Sequence, residues 1–303
     1  MKNQLLTITK NVLIGEPLSR HTTFKIGGPC DYLVLPETIE ELTEVVAFAR
    51  AQNLRLTLLG NGSNVLVDDS GLDGIVLKTT NIKDIHQEGN LVTAGCGARL
   101  STLCETALQS GLDGLCELSG IPGTVGGSVY MNAGAYGGEI KDTLLFSRYL
   151  TEQGEVKTLT NSEHEFSYRH SVFQEHPQWV ILESTFSLSP GNRNEMKEKT
   201  IELLKKRNEK QPLNYPNGGS TFKRPDGYFA GKLIEDCQLR GFSVGDAQVS
   251  EKHCGFVINR GNATCHDVKK LICHIRKTVQ DTFGVTLDAE IRYYKRGEQN
   301  LSL

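Results

Sequence analysis

Ser220, Arg169 and Glu290 are the side chains around which chemistry can be built. Ser220 follows two glycines in NYPNGGSTFKRP and precedes an aromatic residue, a lysine and an arginine. Its hydroxyl is either turn filler or a group brought close to a reacting atom. Arg169 stands in YRHSVF, where a fixed positive charge either steadies a developing anion or lies on the surface. Glu290 belongs to VTLDAEIRYY, whose alternation turns Val285, Leu287, Ala289, Ile291 and Tyr293 one way and Asp288, Glu290 and Arg292 the other. A solvated strand face accounts for that pattern without any function.

Two glycine-rich stretches add a second kind of chemistry. Glycine lets backbone amides approach an anion closely and point at it together. GNGSN, Gly60 to Asn64, suits that purpose, yet it lacks the GK[ST] ending and the following helix of a phosphate loop. Taken alone, it is better explained as a plain strand-to-strand turn. The segment SGIPGTVGGSVYMNAGAYGGEI crowds Gly120, Gly123, Gly126, Gly127, Gly134, Gly137 and Gly138 together. Each glycine costs about 0.5–1 kcal/mol relative to alanine in regular structure, so backbone held against a flat or charged ligand explains the crowding better than a packed element. Loops so far apart in the chain suggest opposite ends of one extended ligand, such as a dinucleotide.

Alternating strands and helices must position these residues. ETIEELTEVVAFARAQN places Ile39, Leu42, Val45, Val46 and Ala49 at helical spacing behind a Thr38/Glu41 capping box. LRLTLLG, VLV, GIVLKT and NLVTAGCG predict strands, and ARLSTLCETALQSG a helix closed at Gly111. TLLFSRYLTEQGEVKTLT predicts two strands and WVILESTFSL another. The polar run SPGNRN and the charged helix after it mark a domain boundary, with the connecting helix at 192–211. Beyond it the pattern predicts a helix from Tyr228 to Leu239, strands at GFSVGDAQVS and CGFVINR, a helix from Thr264 to Phe283 capped by Gly284, and a strand at VTLDAEIRYY.

Composition narrows the function classes. The chain has 303 residues, 38% of them hydrophobic and 23% charged, with a formal net charge of −3. Nothing electrostatic favours nucleic acid or an acidic membrane as a partner. Apolar runs near the start are broken by Lys10, and no stretch is long enough to insert in a membrane. The eight cysteines form no CxxC pair, which suits a reducing compartment. Cys265 with Cys273, and His266 with His274, lie too far apart along one helix to share a zinc, so no metal is expected.

Taken together, HTTFKIGGPCDYLVLPET, LLGNGSNVLV, SGIPGTVGGSVYMNAGAYGGEI, YRHSVF, NGGSTFKRP, FAGKLIEDCQLRG and DAEIRYY resemble the UDP-N-acetylenolpyruvoylglucosamine reductase family, also called UDP-N-acetylmuramate dehydrogenases. The resemblance runs from His21 to Tyr294, in the family's order. It implies an α+β protein with a two-lobed FAD-binding domain of the vanillyl-alcohol-oxidase (PCMH) type over 1–190, dividing near residue 80. A smaller α+β substrate domain over 191–303 would follow. The flavin is expected at Gly60, Asn61, Gly62, Ser63, Asn64 and Val65, and at Ser119, Gly120, Ile121, Pro122, Gly123, Thr124, Gly126 and Gly127, with Asn132 and Gly134 beside them. GNGSN contains no histidine for a covalent link, so FAD would be held noncovalently.

The resemblance further assigns the proton-donating serine to Ser220, the catalytic arginine to Arg169 and the catalytic glutamate to Glu290. Tyr168, Lys223 and Arg224 would contact substrate. NADPH would supply hydride, UDP-N-acetylglucosamine enolpyruvate would be reduced, and the protein would work in a bacterial cytoplasm as a monomer or weak oligomer. No insertion matches the extra tyrosine-bearing loop of one family branch, which leaves the grip on the UDP diphosphate to other residues. Ser128 stands where the family commonly has alanine. A related FAD oxidoreductase acting on an alcohol or hydroxy acid, and a non-catalytic nucleotide-binding module, are the alternative readings.

Overall fold

The computed structural model describes residues 1–301 as two compact units. Unit 1 comprises Met1–Leu13, Leu33–Asn61 and Ile75–Arg207; unit 2 comprises Ile14–Tyr32, Gly62–Gly74 and Asn208–Leu303. Sequence reading divides the chain linearly at 190. The units are instead interleaved, with two N-terminal segments folding with the C-terminal part and most of the charged helix Arg193–Lys210 belonging to unit 1.

Unit 1 is built on a five-stranded antiparallel sheet in the order Val156–Thr160, Leu144–Leu150, Val180–Ser187, Leu91–Gly95, Ile85–Glu88. Helix Leu100–Gln109 buries Leu100, Leu103, Cys104 and Ala107 at helical spacing. Helix Ile39–Ala51 buries Leu42, Val45, Val46 and Ala49. Its Thr38 hydroxyl accepts from the Glu41 amide, while the Glu41 carboxylate reaches Glu37 N rather than Thr38 N, so the expected capping box is shifted by one residue. Leu56–Leu59 pairs in parallel with Ile75–Lys78.

Unit 2 has one apolar core drawn from all three of its segments, including Phe24 and Ile26, Leu66, and Leu233, Val257, Leu271, Ile275 and Ile291. Helix Cys265–Phe283, with a full Thr264/Asp267 capping box and left-handed Gly284 at its end, packs its apolar face there. Three local expectations change. The helix expected over Tyr228–Leu239 spans only Ala230–Asp236, because Gln238 turns left-handed and Leu239 N closes onto Ile234 O. GFSVGDAQVS is a hairpin, Ser243–Val244 against Ala247–Val249, rather than one strand. VTLDAEIRYY is regular strand only at its end, within Arg292–Lys295, yet its alternation survives: Leu287, Ile291 and Tyr293 are buried and Asp288 is exposed.

Among the described residues no helix is long and apolar enough to cross a membrane, and no group of His, Cys, Asp and Glu could hold a metal ion. Seven cysteines are fully or partly buried and Cys273 is exposed. Burial pushes the Cys96, Cys104 and Cys265 thiols up to about 12, which makes them poor nucleophiles.

Candidate active site

In unit 1 the two glycine loops are neighbours, which corrects the expectation that they hold opposite ends of a ligand. Asn61 Nδ2 donates to Pro122 O at 2.6 Å. A Cβ on Gly60 would stand 2.4 Å from Thr124 Oγ1, so only glycine lets the loops close. The next turn is the helix Val125–Tyr130, capped by the Thr124 hydroxyl. Its first amides are already used: Val125 N bonds Ala98 O and Gly126 N bonds Cys96 O, each at 2.8 Å, while Gly127 N bonds Thr124 Oγ1 at 3.4 Å. Gly126 therefore serves close packing of backbone rather than anion donation. The Ser128 hydroxyl is buried with no hydrogen-bond partner.

Asn132 is fully buried. Its amide donates to Glu139 Oε2 and Ser167 O and accepts from Lys141 N, each at 3.0 Å. That side chain is out of a ligand's reach; it fixes the turn that carries Gly134, whose carbonyl accepts from Arg169 Nη2 at 3.0 Å. Arg169 has φ 56, and Gln174 Nε2 holds its carbonyl at 2.9 Å. Such left-handed backbone costs a non-glycine residue about 1–3 kcal/mol and persists only where its surroundings enforce it. Asn132, Tyr136, Glu165 and Arg169 are four of the seven non-glycine residues with positive φ among the described residues, so backbone strain gathers around this segment. The Arg169 guanidinium lies 5.0 Å from the centroid of the exposed Tyr168 ring.

In unit 2 the NGGST turn is built from its own polar groups. Asn217 Oδ1 accepts from Gly219 N at 2.9 Å, and Gly219 takes φ 82, a conformation that favours glycine. Ser220 emerges exposed, while Thr221 is buried, with N bonded to Gly255 O and Oγ1 accepting from Val257 N. The same strand-like segment pairs with the one carrying Glu290. Glu290 N donates to Thr221 O at 2.9 Å, Lys223 N donates to Asp288 O at 2.8 Å, and Phe222 bridges Ala289. Glu290, far apart from this turn in sequence, is thus set opposite Thr221, the residue that follows Ser220, by register.

Asn64 completes this arrangement. Its Nδ2 donates to Glu290 O at 3.2 Å and its carbonyl accepts from Arg292 N at 3.0 Å. The side chain expected at the flavin also ties down the glutamate segment. The signal was the parallel pairing of Val65–Val67 with Arg292–Tyr294, which single-sequence reading does not reveal. Arg224 folds back on its own loop, with its guanidinium 4.1 Å from the Phe229 ring centroid.

A family model for the FAD binding domain matches residues 30–160, and one for the C-terminal domain of UDP-N-acetylenolpyruvoylglucosamine reductase matches residues 211–294. The UDP-N-acetylenolpyruvoylglucosamine reductase of Lachnoclostridium phytofermentans is 50% identical over 289 residues, covering 94% of this chain and 93% of the relative. That of Caldanaerobacter subterraneus subsp. tengcongensis is 49% identical, covering 92% of each. The crystal structure of the corresponding reductase from Thermus caldophilus superposes with a TM-score of 0.78 at 33% identity, over 94% of this chain and 98% of that one. The chain belongs to the UDP-N-acetylenolpyruvoylglucosamine reductase family and is an FAD oxidoreductase with an α+β fold.

Proposed function

We propose that the protein reduces UDP-N-acetylglucosamine enolpyruvate to UDP-N-acetylmuramate for cytoplasmic peptidoglycan precursor synthesis, with noncovalent FAD and with NADPH as reductant. The observation that carries the reading is the pairing of the segment that follows Ser220 with the one carrying Glu290, with Asn64 fastening the glutamate segment. Unit 1 fits the flavin: its glycine loops meet so closely that a Gly60 side chain would collide with Thr124. Asn61, Pro122 and Thr124 would hold FAD there. When bound, FAD supplies hydride transfer, from NADPH to the enolpyruvyl methylene carbon.

Hydride arrival pushes an electron pair onto the neighbouring carbon and its carboxylate, giving a doubly charged enolate. Ser220 delivers the proton to that carbon. A serine hydroxyl is a weak acid, and it suffices only because the acceptor is strongly basic and the turn fixes its position. Arg169 stabilises the enolate oxygens, a task for a fixed guanidinium that donates to Gly134 O, on a backbone whose carbonyl accepts from Gln174. An ionised carboxylate beside this dianion would repel it, so Glu290 acts in its protonated form, donating a hydrogen bond or a proton. Tyr168, Lys223 and Arg224 contact the sugar nucleotide.

The purified protein is expected to be yellow, to release free flavin on acid precipitation, to bleach anaerobically with NADPH, and to regain colour when the UDP-enolpyruvyl sugar is added. A colourless protein that takes up no FAD would refute the reading.

A further inference from the structure

Helix Arg193–Lys210 keeps one stripe less exposed than the rest: Met196, Thr200, Leu203 and Arg207. That is the i, i+4, i+7, i+11 spacing of a single helix face. Arg207 is the odd member, a guanidinium where the stripe calls for an apolar side chain. It lies against the second glycine segment, for a Cβ on Gly120 would meet Arg207 Cδ at 2.9 Å and Nη1 at 3.2 Å. Glycine at 120 makes room for it.

Lys199, on the same helix, offers an internal comparison. Its Nζ is 2.5 Å from the Glu117 carboxylate. Arg207 has no carboxylate or carbonyl partner among the described residues, and the phenol of Tyr136 is its one electrostatic neighbour. Burial pushes its guanidinium below the ordinary arginine value. A partly desolvated charge without a counter-ion is costly, unless a ligand supplies the anion.

We propose that Arg207, seated over Gly120 beside Tyr136, binds the diphosphate of a nucleotide ligand. A planar guanidinium matches two phosphate oxygens at once. The inference rests on the proposed function, which supplies two diphosphates of this chemistry, that of the flavin dinucleotide and that of the UDP-sugar. Either would supply the counter-ion Arg207 lacks, and in a chain without the extra tyrosine-bearing loop the second would answer how the UDP diphosphate is gripped.

The test compares wild type with Arg207→Met, Arg207→Lys and Gly120→Ala, the last displacing the guanidinium while keeping its charge. FAD dissociation is measured by flavin fluorescence, and KM for the UDP-enolpyruvyl sugar by steady-state turnover. Arg207→Met should weaken one of these about ten- to hundredfold, with Arg207→Lys recovering part of the loss and Gly120→Ala weakening the same ligand. Loss of FAD affinity assigns the flavin diphosphate, and a raised KM at full flavin occupancy assigns the UDP diphosphate. Both quantities unchanged within twofold, or an effect confined to KM for NADPH or to the melting temperature of the apoprotein, would overturn the proposal. Wild type that neither bound FAD nor turned over the sugar would instead overturn the function on which it rests.

Discussion

The second glycine segment of unit 1 and the NGGST turn of unit 2 both present polar groups for chemistry, and they do so by opposite means. The first uses strain and close contact: Asn132, Tyr136 and Arg169 are left-handed, and Gly60 and Gly120 exist to let other atoms in. The second uses register. Its one left-handed residue is Gly219, and Ser220 and Glu290 are placed by ordinary backbone bonds between neighbouring segments. A strained site is stiff and depends on every neighbour, whereas a site set by register passes its geometry through a few backbone bonds. Substitutions should therefore separate the two regions by which step of turnover they injure.

A large separation is expected at Arg169. Arg169→Met removes the stabiliser of the enolate, so flavin reoxidation by the UDP-enolpyruvyl sugar should fall about 10²–10³-fold. Stopped-flow reduction by NADPH should stay close to wild type. Asn64→Ala tests the register side. Losing a hydrogen bond to the Glu290 carbonyl should slow reoxidation about tenfold, in line with roughly 1–2 kcal/mol for such a bond, with FAD affinity unchanged. If FAD affinity fell instead, Asn64 would belong to the flavin and the comparison would lose its second term.

Ser128→Ala gives a smaller effect of opposite sign. The buried, unpartnered hydroxyl costs about 1 kcal/mol or more, so the alanine variant should melt higher than wild type, read by calorimetry, without loss of flavin. The smallest effect is one of pH. His164 is buried, with Nδ1 2.7 Å from Thr160 O and Nε2 3.0 Å from Ser147 Oγ, and burial lowers its pKa. His253 in unit 2 is likewise lowered by burial. The unfolded chain then binds more protons than the native one below the ordinary histidine value of about 6.5. Stability should be level above that pH and fall as the medium is acidified toward the depressed native values. His164→Gln should flatten the fall in a series of melting curves; an unchanged slope would show that His164 protonates without cost.

Much of the fold was legible because it follows period and punctuation. The helix spacing of Leu42 to Ala49, the helix beginning near Thr264 and the stop at Gly284 are local signals, and they survive folding. GFSVGDAQVS misled because a two-residue turn around Gly245 hides inside an otherwise strand-like run. The interleaved units escaped notice because segments 14–32 and 62–74 carry no composition shift; they join unit 2 through partners such as Phe24 and Leu66 in its core. Residue types at the site were legible through family resemblance, but their mechanics were not. Left-handed φ at Arg169, contact between Gly60 and Thr124, and the missing counter-ion of Arg207 all arise from tertiary neighbours that no local pattern records.

The most direct measurement is the pair of half-reactions in Ser220→Ala. Reduction of bound flavin by NADPH should proceed at the wild-type rate, while reoxidation by the UDP-enolpyruvyl sugar should slow by about 10²–10⁴, the usual worth of a positioned general acid. Equal slowing of both half-reactions, or reoxidation as fast as wild type, would contradict the assignment of Ser220 as proton donor.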